Sequence, residues 1–160
     1  MKHILLLLTT LAFSAVVSGA LMAQENPFLG TWKLRAEKSE YIGIPMPKSL
    51  TRTVTADGDG VKYIYKGIND EGKPIDYSFS TKYDGKASPL TGTGMPRGAD
   101  SVTMKRVNAR KTATVLSKAG KEIGKSTAEV SEDGKVTTIK GTGKTADGKE
   151  FSTTSVFDKQ

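Results

Sequence analysis

The sequence predicts an all-β protein, a single antiparallel up-and-down β-barrel of about eight to ten strands. Turn signals that contain glycine, most of them Asp-Gly pairs, recur at short intervals from residue 57 onward. The segments between these turns are rich in Thr, Val, Tyr and Ile, which favour strands. No segment after the N-terminal region shows helical periodicity over three turns, so strands and hairpins account for the whole domain.

Ten segments fit this pattern, and each is a strand-forming run bounded by turn residues. They are 29–37, 49–57, 61–68, 74–83, 87–90, 100–107, 111–118, 122–131, 135–143 and 149–158. Alternation is clearest in 74–83, where the apolar and aromatic residues take the odd positions. Pro89 makes 87–90 the weakest segment, because proline cannot donate to a ladder. An even number of strands allows the first and the last to pair antiparallel and to close the barrel.

The turn at 57–60 (DGDG) could be mistaken for a calcium loop. A calcium loop requires further carboxylates at fixed spacing, and these are missing here. A tight hairpin turn of type I′ is therefore predicted at 57–60.

The first residues are typical of an export signal. Lys2 precedes an apolar run at 4–17 that only Thr and Ser interrupt, and Ala20 and Ala23 end two candidate cleavage sites. The alternative is an uncleaved anchor, because 4–22 approaches the minimum length of a membrane span. The small residues before the cleavage sites and the polar residues after them favour cleavage.

Cleavage would divide the chain into a signal peptide at 1–23 and one barrel domain at 24–160, which we expect to be periplasmic or secreted, with no integral membrane span.

The chain has no Cys, and its single His is His3, in the segment to be removed. The mature domain would lack thiolates and imidazoles, so we expect no metal site, no cofactor and no catalytic residues. An enzyme that uses Tyr, Lys, Asp or Glu is the minor alternative.

The chain is basic, with 24 Lys and Arg residues against 17 Asp and Glu residues and a formal net charge of +7. Most lysines alternate with inward positions or fall at turns, which is typical of a solvated face that protects strand edges. Aromatic residues are not interleaved with basic ones on an exposed face, so we do not expect nucleic-acid binding.

Segments at both ends of the domain resemble a known group of barrels. Residues 28–34 (FLGTWKL) and 39–41 (SEY) resemble the opening of the calycins, both the fatty-acid-binding proteins and the Gly-x-Trp start of the lipocalins. Residues 155–159 (SVFDK) resemble the closing strand of the fatty-acid-binding proteins. The whole mature chain resembles bacterial exported lipocalin-like domains. This resemblance implies a lipocalin-like barrel.

The chain also departs from these families. The interval 38–49 is too short for the two helices of the fatty-acid-binding proteins and contains two prolines. Their closing strand carries an Arg and a Tyr that hold a fatty-acid carboxylate, and the matching positions here are Ser155 and Phe157. The resemblance therefore does not imply this carboxylate clamp. The lipocalin Arg that stacks on the Trp is matched best by Arg106.

Strand direction places the longest loops at one end, which we expect to be open. Trp32 and Phe157 are expected to plug the other end.

Four aromatic residues on adjacent strands would line a cavity for a small hydrophobic ligand. These are Tyr63, Tyr65, Tyr77 and Phe79. Arg52 and Arg106 interrupt alternating strands, and an inward arginine would pair with an anionic head group or with backbone carbonyls.

These patterns favour an exported, non-enzymatic β-barrel that binds a small apolar or amphipathic ligand. Small or polar inward residues in the C-terminal third would leave the required volume. The alternative is a packed barrel that acts as a structural or protein-interaction component of the cell envelope, because the same aromatic residues could simply fill the interior.

Overall fold

The computed structural model describes residues 26–160, and the signal peptide predicted at 1–23 lies outside the described residues. The described residues form a twelve-stranded antiparallel sheet. Its strands are β1 Gly30–Leu34, β2 Glu40–Ile42, β3 Ser49–Asp57, β4 Gly60–Ile68, β5 Pro74–Thr81, β6 Asp84–Pro89, β7 Thr91–Thr93, β8 Ser101–Asn108, β9 Lys111–Lys118, β10 Lys121–Val130, β11 Val136–Lys144 and β12 Glu150–Lys159. None of the helical turns within residues 26–160 is long and apolar enough to cross a membrane.

The sheet curls into a nearly closed barrel. Its strands follow the order β6-β8-β9-β10-β11-β12-β1-β3-β4-β5-β7, and β2 adds to β12. The predicted pairing of the first and last long strands is confirmed, because Trp32 lies opposite Lys159 and Leu34 lies opposite Phe157. The two edges of this strand order are β6 and β7, because β6 pairs with β8 and β7 pairs with β5. A seam between β5 and β6 therefore interrupts the ladder.

Every predicted segment contains a strand. The segment predicted at 87–90 forms β6, which begins earlier, at Asp84, and ends at Pro89. The three-residue strands β2 and β7 were not predicted, because they lie within connections that contain Pro or Gly. They extend the barrel wall at the end where the long loops meet.

The turn type predicted at 57–60 is wrong. Asp57 pairs with Gly60 across a two-residue hairpin, but only Gly58 has a positive φ, of 57°. That pattern belongs to a type II′ turn, whereas type I′ requires positive φ at both central residues. The turn between β9 and β10 does meet that requirement, because Ala119 has a φ of 49° and Gly120 a φ of 73°.

The core fills the end of the barrel opposite the long loops. Trp32 and Phe157 are almost completely buried there, with exposed fractions of 0% and 1%. The Trp32 indole Nε1 donates a hydrogen bond of 2.9 Å to the Phe28 carbonyl oxygen, which satisfies its one donor. Val54, Val61 and Val130 are buried in the same cluster. Large side chains thus close this end.

Candidate functional site

A cavity of about 420 Å³ opens at the end of the barrel where the long loops meet. Cavities of this size hold small organic ligands in other proteins. Its lining comes from β2 and β10, the first residues of β3, β5 and β12, the last residues of β9 and β11, and the loops around residues 44–47, 69–70 and 94–97. The apolar side chains in this lining are Ile44, Leu50, Ile75, Tyr77, Met95, Leu116 and Phe151.

The cavity exists because one wall of the barrel carries large side chains and the opposite wall carries small ones. On one side, large side chains such as Leu50 and Tyr77 point inward from β3 and β5. On the other side, β10 and β11 contribute Gly124, Ser126 and Gly141. Small inward side chains leave space that large ones would fill. The small residues noted in the C-terminal third of the sequence therefore supply one wall of the cavity.

Arg97 lies at the mouth of the cavity, in the short 3-10 turn Pro96–Gly98. Its φ of 52° is in the left-handed region, which non-glycine residues rarely adopt. This conformation brings the guanidinium carbon to 4.1 Å from the Phe151 ring centroid, a cation–π contact. The guanidinium also lies against Gly124, where a Cβ atom would obstruct it. Burial lowers the pKa of Arg97 below its ordinary value.

Tyr41 lines the cavity, and its hydroxyl group contacts the next inward layer of the barrel. It lies on β2 and lines the cavity, and β2 pairs with β12 so that Tyr41 is opposite Thr153. Its hydroxyl oxygen is 2.6 Å from Ser155 Oγ, a hydrogen bond in which either group is the donor. Burial raises the pKa of Tyr41, so its phenol stays neutral in neutral solution.

The four aromatic residues predicted to line the cavity form a stack on β4 and β5. Tyr65 stacks on Tyr77 with ring centroids 4.8 Å apart, and Tyr63 stacks on Phe79 at 5.0 Å. Of these four, Tyr77 alone is part of the cavity lining. Tyr63 and Phe79 lie deeper in the core, where the Tyr63 hydroxyl is 2.7 Å from that of Tyr83. Burial raises the pKa of both Tyr63 and Tyr77 well above its ordinary value.

Arg52 lies inside the barrel, one layer below the cavity. On β3, side chains at alternate positions face inward, so Arg52 follows the cavity-lining Leu50 by about 7 Å along the strand. Only 1% of its surface is exposed. Its guanidinium carbon lies 5.5 Å from the Trp32 ring centroid, 6.0 Å from that of Tyr63 and 5.3 Å from that of Phe157.

Arg106 lies at the closed end and is not part of the cavity lining. Its guanidinium carbon is 4.2 Å from the Tyr83 ring centroid, and its Nη1 donates to the Ala109 carbonyl oxygen at 3.2 Å. The expected stacking of Arg106 on Trp32 is wrong, because its guanidinium lies over the rings of Tyr83 and Phe28 instead. The cations over Trp32 are instead Arg52 and Lys159.

Several cavity residues were not identified from the sequence. Tyr41, Ile44, Met95 and Arg97 lie in or beside the long connections, whose conformation strand patterning does not determine. Phe151 carried a usable signal, because it shares the inward face of β12 with Phe157.

Comparisons with known proteins identify the fold. No family model and no curated protein matches the chain. Among solved structures, the zebrafish ileal bile acid-binding protein complexed with cholic acid has a TM-score of 0.51 at 15% identity, covering 84% of this chain and 99% of that chain. Lobster apocrustacyanin A1 has a TM-score of 0.45 at 10% identity, covering 86% of this chain and 63% of that chain. The likeness to the bile acid-binding protein shows the fold alone, which is an all-β antiparallel barrel.

Proposed function

We propose that this protein is an exported, non-enzymatic barrel that binds a small apolar or amphipathic molecule at its open end, in the periplasm or outside a bacterial cell. The observation that carries the proposal is the cavity of about 420 Å³, lined largely by apolar side chains and open at the mouth. Removal of apolar ligand surface from water would drive binding. The cavity favours this proposal over a fully packed barrel that acts through its surface.

Further features support the separate parts of the proposal. Export is favoured by the apolar run at 4–17 and the candidate cleavage sites that follow it. A non-enzymatic role is favoured because residues 24–160 contain neither Cys nor His. The phenols of Tyr41 and Tyr77, whose pKa values burial raises, are suited to hydrogen bonding rather than to proton abstraction at neutral pH.

Filling the cavity is expected to abolish binding. The neutral fluorescent probe N-phenyl-1-naphthylamine should bind the wild-type domain saturably. Ser126→Phe places a ring in the empty volume and should weaken probe binding at least about tenfold, or about 1.4 kcal/mol. Thr127→Phe is the matched control, because Thr127 is the next residue of β10 and is not part of the cavity lining. It should change the affinity by less than about twofold.

Fluorescence titration of the three proteins measures this difference, and far-UV circular dichroism checks that both variants keep the β-sheet. The proposal is contradicted if the wild-type protein shows no saturable binding, or if Ser126→Phe and Thr127→Phe bind the probe equally well. The first result would favour the packed envelope component.

A further inference from the structure

Arg52 is a buried cation without a counter-charge. None of the salt bridges formed by residues 26–160 involves Arg52. Its Nε and Nη2 atoms are buried and have no hydrogen-bond partner among the described residues. Burying an unpaired charge is strongly unfavourable, and buried charges are normally paired. The three surrounding aromatic rings and the neighbouring Tyr65 hydroxyl offset only part of this cost, because none of them carries a negative charge.

The two unpartnered donors lie on one edge of the guanidinium. Nε–H and one N–H of Nη2 point the same way in the planar fork, and this spacing matches the two oxygens of a carboxylate. The aromatic rings of Trp32, Tyr63 and Phe157 surround the group. An oxyanion that reached this edge would satisfy both donors in an environment where screening by water is weak.

Arg52 is not part of the cavity lining, but it lies one inward position beyond it. Leu50 and Thr153 line the cavity, and the next inward residues on their strands are Arg52 and Ser155. Tyr65 is opposite Arg52 in the β3–β4 register and stacks on the cavity-lining Tyr77. A molecule whose apolar part occupies the cavity would therefore direct its inner end toward the Arg52 layer.

We propose that the ligand is an anionic amphiphile whose single carboxylate-like oxyanion binds the Nε–Nη2 edge of Arg52, with its apolar part in the cavity. This inference rests on the proposed function and specifies the ligand class. The arrangement differs from an electrostatic site at the mouth, where Arg97 and Lys125 line the cavity. Lys125 is exposed and Arg97 is half-buried, so water screens these charges more than that of Arg52, although Arg97 Nε also lacks a hydrogen-bond partner among the described residues.

Matched ligands test the proposal. Laurate, 1-dodecanol and dodecylammonium share one apolar chain and differ in head-group charge, and each competes with N-phenyl-1-naphthylamine at about pH 8, where the laurate carboxyl is ionised. The wild-type domain should bind laurate at least about tenfold more tightly than 1-dodecanol, and dodecylammonium most weakly. Arg52→Met should remove the preference for laurate while changing 1-dodecanol affinity by less than about twofold. Arg97→Met, the control at the mouth, should keep the preference.

Salt dependence separates a deep site from a mouth site. The preference for laurate should persist between about 50 mM and about 0.5 M NaCl, because a buried pair is screened weakly. If Arg52→Met failed to fold, this measurement and the wild-type comparison would still decide the question.

The remaining outcomes contradict either the inference about Arg52 alone or both this inference and the proposed function. Equal binding of laurate and 1-dodecanol, no displacement of a bound probe by laurate, or loss of the preference in Arg97→Met would overturn the inference and leave the proposed function standing. Failure of the probe and of all three amphiphiles to bind would overturn both.

Discussion

Replacing Trp32 by alanine is expected to lower the free energy of unfolding by about 3–5 kcal/mol, the range found when a large aromatic residue is removed from a core. Trp32 is completely buried, and its indole Nε1 donates to the Phe28 carbonyl oxygen. Truncation would leave a cavity at the closed end and an unpaired buried carbonyl. Because small domains are stable by only about 5–15 kcal/mol, a substantial part of the stability should be lost.

Urea unfolding followed by far-UV circular dichroism measures this change without the tryptophan signal. Trp32→Phe is the matched control, because it keeps most of the apolar volume and loses the indole hydrogen bond. It should lower stability by a smaller amount than Trp32→Ala. A loss below about 1 kcal/mol for Trp32→Ala would show that this residue does not close the barrel.

Replacing Arg52 by methionine is expected to raise the free energy of unfolding of the ligand-free domain by about 1–3 kcal/mol. Methionine has a similar length and no charge, so it removes the unfavourable burial of an unpaired guanidinium. The lost cation–π contacts with Trp32, Tyr63 and Phe157 reduce the gain only in part, because their distances of 5.5, 6.0 and 5.3 Å approach the limit of about 6 Å for such contacts. A residue that lowers stability within a well-packed core is characteristic of a functional position.

The control for this measurement is Arg35→Met. Arg35 forms a surface salt bridge with Asp158 at 2.5 Å, with 39% of the arginine side chain exposed. Surface pairs of this kind contribute at most about 1 kcal/mol, so the control should be neutral or slightly destabilising. If Arg52→Met lowered the free energy of unfolding by more than about 1 kcal/mol, the prediction that Arg52 destabilises the folded domain would be contradicted. The cation–π contacts of Arg52 would then contribute more free energy than the burial of its charge costs.

Strand patterning predicted the fold because hairpin signals and period-two alternation are local properties of the chain. An even number of long strands then allowed the first and last to pair antiparallel, and β1 does pair with β12. What the patterning missed is set by loop geometry. β2 and β7 form only where the long connections fold back onto β12 and β5. The turn at 57–60 depends on φ at Asp59, which its sequence does not determine.

The site was predicted less completely than the fold. Its location at the long-loop end and its wall of small residues followed from strand direction and alternation. Alternation distinguishes inward from outward residues, but it does not give depth along the barrel axis. Tyr63 and Phe79 are therefore inward residues that belong to the core, whereas Tyr77 on the same wall reaches the cavity. The roles of Tyr77 and Arg52 in ligand binding remain predictions.

The most direct test of a ligand-binding barrel interior is a two-dimensional ¹H–¹⁵N NMR titration of the domain with N-phenyl-1-naphthylamine. We expect saturable shifts at the cavity amides of Gly94, Gly124 and Gly141, and none at Gly58 and Gly134 in the turns of the closed end. An absence of saturable shifts, or shifts concentrated at Gly58 and Gly134, would contradict the account.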